Sequence, residues 1–360
     1  MQALAEFEGK PVFVFTGMGP QWWAMGHELL EQEPVFRKTA EKCDLLFQRM
    51  AGWSILAEMS ANEFQSQITS AHLAAPANFI LQAALTALWR DWDVQPAATV
   101  GHSLGEVGAA YAAGALDLES AMRVTYHLGR SLKQRVGTGA MLAVGLSERQ
   151  LRSMFAQELD GLCIAAVNSP SAITLAGDPA ALEPIAARLN AEQVFNRFLH
   201  VDVAYHSHHM EPLRHELRAA LKDLRVQAPA VPLYSTVTGR LVGEELRRTE
   251  YWCDNARQPV LFETAVGNMI AAGHRVFLQV GPHPVLSKSI EECLDHHGTN
   301  GTVLASLRRG QPELDTLLQA REALRRTPHA GERKGPRFGI EAWRLLPELA
   351  GPGPYAGESM

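Results

Sequence analysis

Apolar residues along the first 114 positions follow two different spacings, which separate strands from helices. The run PVFVFT at 11–16 is apolar on both faces and stops at Gly17. A short, continuous run of β-branched and aromatic residues is typical of a buried strand in a parallel sheet. Elsewhere apolar residues recur every three or four positions, the period of a helix. The elements predicted here are a strand over 11–16, helices from Trp22, over Val35–Met50 and over 72–93, a strand over Ala97–Val100 and a helix over Glu106–Gly114.

A second pattern begins after Gly137 and has the order β-α-β-β-α-β over about 60 residues. That order is typical of the split-βαβ, ferredoxin-like motif. It predicts a small inserted subdomain over residues 137–200. Its predicted elements are the strand Met141–Leu146, the helix Glu148–Leu159, the strands Cys163–Val167 and Ala172–Ala176, the helix Pro179–Leu189 and the strand Phe195–Val201.

The alternation of strands and helices resumes after residue 200, which predicts an α/β fold. A large subdomain with a parallel sheet is expected over residues 1–136 and 201–310. Because 11 of the residues 328–360 are Gly or Pro, residues 311–360 are expected to be a C-terminal arm or flexible tail. The elements predicted after residue 200 are the helix Met210–Leu224, the strand Leu233–Val237, the helix Glu263–Ala272 and the strand Val276–Val280.

Composition places the chain among globular proteins. Hydrophobic residues make up 46% and charged residues 20% of the 360, so the chain as a whole is not disordered. Lys and Arg number 33 against 39 Asp and Glu, a net charge of −6. Because nucleic-acid binding depends on basic contacts to phosphate, this charge indicates no nucleic-acid partner.

The spacing of the cysteines and the most apolar window of the sequence indicate the cellular compartment of the protein. The four cysteines have no CxxC spacing, which indicates neither a disulfide framework nor a zinc site. The window Leu73–Trp89 contains Pro76, Asn78 and Gln82, so it is expected to be a buried helix and not a membrane span. The first ten residues lack the pattern of a signal peptide. We therefore expect a cytoplasmic protein with no membrane partner.

The strongest chemical signal is GHSLG at 101–105, a G-x-S-x-G that follows a predicted strand and precedes a helix. At such a sharp turn the serine hydroxyl stands clear of the sheet, beside a helix N-terminus that stabilises negative charge. Ser103 is therefore a candidate nucleophile. A structural Ser-Gly turn is the alternative interpretation of the same five residues.

A serine nucleophile needs a base, and 14 histidines compete for this role. Spacing alone does not choose among them. His206, His208 and His209 are close enough in sequence to suggest a metal cluster. However, H-x-H-H without carboxylates at ligand spacing is poor support for a metal site. We predict no metal and no other cofactor.

Several motifs in one order resemble the acyltransferase domains of polyketide and fatty acid synthases, the malonyl-transacylase family. The resemblance covers Pro11 to about Leu307. The motifs are FTGMGPQ at 15–21, GHSLG at 101–105, AVNSP at 166–170, VAYHS at 203–207, the segment Asn255–Val260 and VGPHPVL at 280–286.

The resemblance implies that the large subdomain, residues 1–136 and 201–310, is a hydrolase-like core, and that the reaction is ping-pong at a Ser-His dyad. Ser103 matches the residue that carries the acyl group as an ester, and His206 matches the general base. In this family a backbone carbonyl orients the imidazole, and Asn255 is expected to supply it. The backbone N–H groups of Met18 and Leu104 match the oxyanion hole. Gln21, His102, Leu128, Asn168, Val203 and Tyr205 are expected at the substrate.

Leu128 departs from the family pattern. Relatives that use malonyl or methylmalonyl groups hold the free carboxylate with an arginine at this position, for which a planar fork is well suited. A leucine does not pair with a carboxylate, and a buried unpaired carboxylate costs several kcal/mol. This argues for a non-carboxylated acyl group. Tyr205 and Leu104 favour a malonyl group instead, because they resemble the residues at the same positions in malonyl-selective members.

The function expected from the sequence is acyl transfer in polyketide, and hence antibiotic, biosynthesis. The acyl group would move from CoA or a carrier protein, through acyl-Ser103, to an acyl carrier protein. The open alternatives are a malonyl-CoA:acyl carrier protein transacylase and a trans-acting acyl-carrier-protein hydrolase. An idle docking module and an ordinary α/β-hydrolase esterase are disfavoured, since both dyad residues are present and a ferredoxin-like segment separates them.

Two further expectations concern partners. The start near the first strand and the Met at position 1 favour a free-standing, trans-acting enzyme over an excised domain. Carrier proteins are typically acidic, so a groove between the subdomains is expected to present basic residues. The candidates are Arg152, Arg188, Arg197 and Lys288.

Overall fold

Strands and helices alternate along most of the chain. The computed structural model describes residues 10–156, 158–201 and 203–326. Its strands are β1 (Val12–Phe15), β2 (Ala98–Gly101), β3 (Ala140–Val144), β4 (Cys163–Ser169), β5 (Ala172–Gly177), β6 (Asn196–Phe198), β7 (Leu233–Tyr234), β8 (Val260–Leu261), β9 (Val276–Val280) and β10 (Thr302–Ala305). Its helices are α1 (His27–Gln32), α2 (Pro34–Ala51), α3 (Ile55–Met59), α4 (Ala71–Asp91), α5 (Gly105–Ala112), α6 (Leu118–Leu132), α7 (Glu148–Met154), α8 (Pro179–Ala191), α9 (Glu211–Ala220), α10 (Thr249–Arg257), α11 (Phe262–Ala271), α12 (Ser287–His296) and α13 (Glu313–Arg326).

The larger sheet is parallel and has the strand order β10-β9-β1-β2-β7. All four residues of β1 are buried, as expected for a central strand with helices on both faces. In this register Phe15 pairs with Gly101 on one side and with Val280 on the other. The carboxyl ends of three strands are therefore level, and the loops that follow them meet at one edge. The α/β class with a parallel sheet is confirmed.

A smaller sheet has the order β6-β3-β5-β4-β8. Strands β3 to β6 are antiparallel where they pair, and with α7 and α8 they form the β-α-β-β-α-β unit expected over 137–200. Its own apolar core includes Leu142, Leu151 and Leu182. Strand β8 comes from outside that range and pairs in parallel with β4. The segment just before β8 is therefore anchored where the two sheets meet.

Helix α4 contains the apolar window noted in the sequence. It is the one helix of the described residues that is long and apolar enough to cross a membrane, and 83% of its most apolar window is buried inside the protein. The Gln82 side chain on this helix donates to the carbonyl of Thr16 at 2.7 Å. Helix α4 thus packs in the core and holds the loop that follows β1.

Several predicted elements are shorter than the sequence pattern suggested. Helix α9 ends at Ala220 and not at Leu224, and strand β6 ends at Phe198 and not at Val201. The helix expected from Trp22 begins only at His27, because Ala24 and Gly26 have left-handed backbone angles (φ 66° and 85°). Helix α7 ends at Met154, and the strand expected over Leu233–Val237 ends at Tyr234. There the Ser235 hydroxyl accepts hydrogen bonds from the N–H groups of Val237 and Thr238, which turns the chain out of the sheet.

The expected arm over 311–360 is wrong for its first part, which contains α13. Leu317 of this helix is fully buried. The Glu313 carboxylate accepts from the N–H groups of Gly26 at 2.6 Å and Leu29 at 3.4 Å, while its own N–H donates to the Glu28 carboxylate at 2.6 Å. Each helix start therefore supplies a carboxylate to the other, which satisfies N–H groups that a helix leaves unpaired. The Gly- and Pro-rich residues 328–360 lie outside the described residues.

Candidate active site

Ser103 lies on the turn between β2 and α5, in a left-handed backbone conformation (φ 55°). The two glycines of the motif are required by close backbone approach. A Cβ on Gly101 would lie 2.1 Å from the carbonyl carbon of Gly105, and a Cβ on Gly105 would lie 2.2 Å from the carbonyl oxygen of Phe15. The turn is therefore packed against both its own helix and β1. It holds the serine hydroxyl at the carboxyl edge of the sheet, as predicted for a nucleophile elbow.

The serine hydroxyl contacts His206. Ser103 Oγ lies 2.7 Å from His206 Nε2, and His206 Nδ1 lies 2.8 Å from the backbone carbonyl oxygen of Gln258. Because a carbonyl only accepts, Nδ1 carries the proton and Nε2 presents a lone pair to the hydroxyl. This is the tautomer that a general base requires.

The carbonyl that orients His206 belongs to Gln258, so the expectation for Asn255 is wrong. Asn255 lies within α10, and its side-chain Nδ2 donates to the carbonyl oxygen of Ser103 at 3.0 Å. Gln258 is the first residue after that helix and has an extended backbone (ψ 159°), which frees its carbonyl from the helix ladder. The sequence carries a signal for this change, because Pro259 follows and disfavours helical geometry at the residue before it.

Burial keeps the His206 imidazole neutral. Burial, followed by the nearby His102, lowers the pKa of His206 to about 4, against the opposing effect of the hydrogen bond to Gln258. Burial also lowers the pKa of His102. His102 does not contact the serine hydroxyl through a hydrogen bond. Its Nε2 lies 2.8 Å from Asn168 Oδ1, and Asn168 Nδ2 donates to Thr174 Oγ1 at 3.3 Å, which links the elbow to the smaller sheet.

We expect the reaction of Ser103 with a small fluorophosphonate to be independent of pH between about 6 and 8. The neutral form of His206 is the active one, so the rate should fall as the pH is lowered through about 4. The measurement is a pH series of pseudo-first-order labelling rates, with circular dichroism at each pH to confirm folding. A midpoint near the ordinary histidine pKa of about 6.5 would contradict the buried environment of this base.

A pocket opens in front of the dyad, and its walls are mostly apolar. The residues that line it are Met18, Ser103, Leu104, Leu128, Leu132, Tyr205, His206, Met210, Asn255 and Ala256. Within the part of the chain that the structure describes, neither Lys nor Arg lines this pocket. The arginines nearest in sequence to Leu128 are directed elsewhere: the Arg123 guanidinium donates to the carbonyl of Ala220, and the Arg130 guanidinium lies 5.9 Å from the centre of the Tyr126 ring.

The structure brings together only part of the predicted substrate set. Leu128 and Tyr205 line the pocket beside Ser103. Gln21 instead shapes the loop after β1, where its Oε1 accepts from the N–H of Gly19 at 2.7 Å. Val203 is fully buried in the core of the larger unit. Leu132, Met210 and Ala256 also line the pocket and were not predicted, because nothing in their local pattern separates a pocket wall from a core position.

Neither the histidines after His206 nor the basic candidates join this site. His208 Nδ1 lies 3.8 Å from Cys163 Sγ, and His209 Nε2 lies 3.6 Å from Asp178 Oδ1. Three of the four basic side chains proposed for a carrier groove are already in ion pairs, so the groove stays a prediction. Those pairs are Arg152–Glu148, Arg188–Glu158 and Lys288–Glu292.

Comparison with known proteins gives one family. The profile described as "Acyl transferase domain" matches residues 12–330. The chain is 38% identical over 321 residues to the polyketide synthase GfsB of Streptomyces halstedii, and 39% identical over 310 residues to the spectinabilin polyketide synthase system protein NorC of Streptomyces orinoci. These matches cover 89% and 86% of this chain, but only 6% and 14% of the two relatives.

Two solved structures are similar over most of the chain. A loading acyltransferase from the avermectin modular polyketide synthase is 32% identical with a TM-score of 0.82, over 87% of this chain and 99% of that one. The acyltransferase domain from module 8 of the salinomycin polyketide synthase is 32% identical with a TM-score of 0.84, over 89% of this chain and 76% of that one.

Proposed function

Because the chain belongs to the acyl transferase domain family, we propose that it transfers a non-carboxylated acyl group to an acyl carrier protein through an ester on Ser103. The observation that carries this proposal is the wall of the pocket. Ser103 lines a space together with Leu128, Leu132 and Met210, and no Lys or Arg of the described residues lines it.

The dyad is arranged for acylation. As Ser103 Oγ attacks the thioester carbonyl, His206 Nε2 takes the hydroxyl proton, at the 2.7 Å separation seen here. The carbonyl oxygen becomes negative, and we assign its stabilisation to the backbone N–H groups of Met18 and Leu104. No hydrogen bond among the described residues occupies either N–H group. The tetrahedral adduct collapses, the proton passes from His206 to the departing thiolate, and the acyl group remains on Ser103.

The second half of the reaction reverses these roles. The thiol of a carrier protein's pantetheine arm enters, gives its proton to His206 Nε2, and attacks the ester carbonyl. Ser103 leaves with a proton from His206, which restores the dyad. Throughout both halves the Gln258 carbonyl stabilises the imidazolium that forms, through the 2.8 Å contact with Nδ1.

The specificity follows from the energy of burying charge. A malonyl group would bring its free carboxylate against Leu128, which is 9% exposed. Without a partner, a buried carboxylate is penalised by several kcal/mol, whereas an alkyl chain gains from the same apolar wall.

A malonyl-transferring enzyme is the second candidate, and Tyr205 in the pocket wall favours it. Intact-mass measurement after incubation with acetyl-, butyryl-, hexanoyl- and malonyl-CoA separates the two, with Ser103→Ala as control. We expect adducts of the uncharged acyl groups and none of malonyl. Strong malonyl loading would overturn the proposed specificity. Ser103-dependent release of CoA without any adduct would instead establish a hydrolase.

A further inference from the structure

A buried carboxyl group lies directly behind the nucleophile. Glu106 is in the first turn of α5 and is fully buried. Burial raises its pKa to about 7, although its hydrogen bonds to Thr236 and Tyr251 act in the opposite direction. A group of this kind is destabilising unless it is well hydrogen-bonded. The hydrogen-bond partners of Glu106 therefore decide what this buried carboxyl group does in the fold.

The partners of Glu106 come from two distant parts of the chain. Its Oε1 accepts from the backbone N–H of Thr236 and lies 2.7 Å from Thr236 Oγ1. Its Oε2 accepts from the Tyr251 hydroxyl at 2.7 Å, and that hydroxyl is also hydrogen-bonded to Ser235 Oγ at 2.8 Å. One carboxyl group thus joins α5, the loop after β7 and helix α10.

Tyr251 and Thr236, the two partners of Glu106, are connected to the chain on either side of Gln258. Tyr251 belongs to α10, the helix that ends immediately before Gln258. The carbonyl of Thr236 accepts from the N–H of Leu261 at 2.7 Å, just after Gln258 in the chain. Thr236 Oγ1 also lies 2.8 Å from the carbonyl oxygen of Gly101, at the start of the elbow. The same network holds the serine turn and both ends of the segment whose carbonyl orients His206.

We infer that Glu106 is a positioning residue of the dyad, which fixes the Gln258 carbonyl against His206 Nδ1 relative to the Ser103 turn. Glu106 does not line the substrate pocket. Its loss should therefore slow the chemical step and leave acyl binding unchanged. A displacement of the Gln258 carbonyl by about 1 Å is enough to misalign the base and lower the rate by roughly 10–100-fold.

The test is to label Ser103 with a small fluorophosphonate in wild type, Glu106→Gln and Tyr251→Phe, recording rate and final extent. We expect labelling to completion, roughly 10–100-fold slower for Glu106→Gln and roughly tenfold slower for Tyr251→Phe. Asp44→Asn is the matched control. Asp44 is a buried carboxyl that also accepts three hydrogen bonds, from Gln48, Ser54 and Leu56, and its bonds hold α2 to the start of α3.

The extent of labelling separates positioning from misfolding, because an unfolded fraction lowers the extent and a misaligned base lowers only the rate. Rates within twofold of wild type for Glu106→Gln, or a loss equal to that of Asp44→Asn, would overturn the inference. If Glu106→Gln does not fold, Tyr251→Phe decides alone. The inference rests on the proposed function only in that Ser103 is the nucleophile, and labelling requires no acyl donor. For any acyl-CoA that is accepted, we also expect the KM of Glu106→Gln within about twofold of wild type.

Discussion

Replacing His206 by alanine is expected to slow the acylation of Ser103 by about 10²–10⁴-fold. The hydroxyl then has no base, since His206 Nε2 is the group 2.7 Å from Ser103 Oγ, and His102 Nε2 is occupied by Asn168. Rapid-quench measurement of acyl-enzyme formation from hexanoyl-CoA, or from whichever acyl-CoA the panel identifies, gives the rate directly.

The residual rate in that variant is as informative as the loss. Ser103→Ala should form no adduct, so any slow acylation of His206→Ala measures the contribution of the pocket and the oxyanion site alone. His209→Ala is the control, because this neighbouring histidine contacts Asp178 and not the serine. Equal loss in the two histidine variants would mean that the 206–209 segment acts through its fold and that His206 is not the base.

Replacing Leu128 by arginine is expected to shift acyl preference towards malonyl by on the order of 10²-fold relative to hexanoyl. Leu128 lines the pocket that contains Ser103 Oγ, so a guanidinium there would face an incoming carboxylate at the far end of the acyl group. A bidentate pair in a dry pocket is strongly discriminating, whereas the same arginine leaves an alkyl chain beside an unpaired charge. Competition between malonyl- and hexanoyl-CoA, read by intact mass, measures the ratio.

Leu128→Met is the matched control for side-chain size. It keeps an apolar side chain of similar volume, so we expect its acyl preference to stay within a few-fold of wild type. A thermal unfolding curve of Leu128→Arg shows whether the new charge is tolerated in the empty pocket. If wild type already prefers malonyl, or if a folded Leu128→Arg shows the wild-type ratio, the assignment of Leu128 to acyl selection is wrong.

Much of the fold follows from short-range pattern. The buried run at 11–16 and the strand Val276–Val280 correspond to β1 and β9, because continuous apolar runs ended by glycine have few other solutions. Helix α13 was not predicted, because the high Gly and Pro content of residues 328–360 was taken to describe all of residues 311–360. Its position depends on Glu313 and Glu28, which are far apart in sequence and therefore leave no local signal.

The residues that line the pocket also differ in whether the sequence could predict them. Leu128 was found because a family pattern marks that position, and the structure places it beside the nucleophile. Leu132 lies one helical turn further along α6 and lines the same pocket, yet its sequence environment is that of any core leucine. Whether an apolar residue faces a core or a cavity depends on what the opposing elements leave open, and this is not encoded in its own neighbours.

The sequence by itself marked Ser103 as the candidate nucleophile, since its motif places glycine at 101 and 105. A Cβ on Gly101 would collide with Gly105 within the same turn, whereas the collision at Gly105 is with Phe15 on β1. The sequence also marked His206, by its place in a family motif. Only the tertiary structure decided which carbonyl orients that histidine, and that Glu106 holds it in place. Those contacts join residues 52 and 130 positions apart, and their geometry depends on how α10 and the loop after β7 pack against the elbow. A steric limit within one turn can be seen in a motif, whereas the direction of a hydrogen bond between distant elements exists only once they have packed.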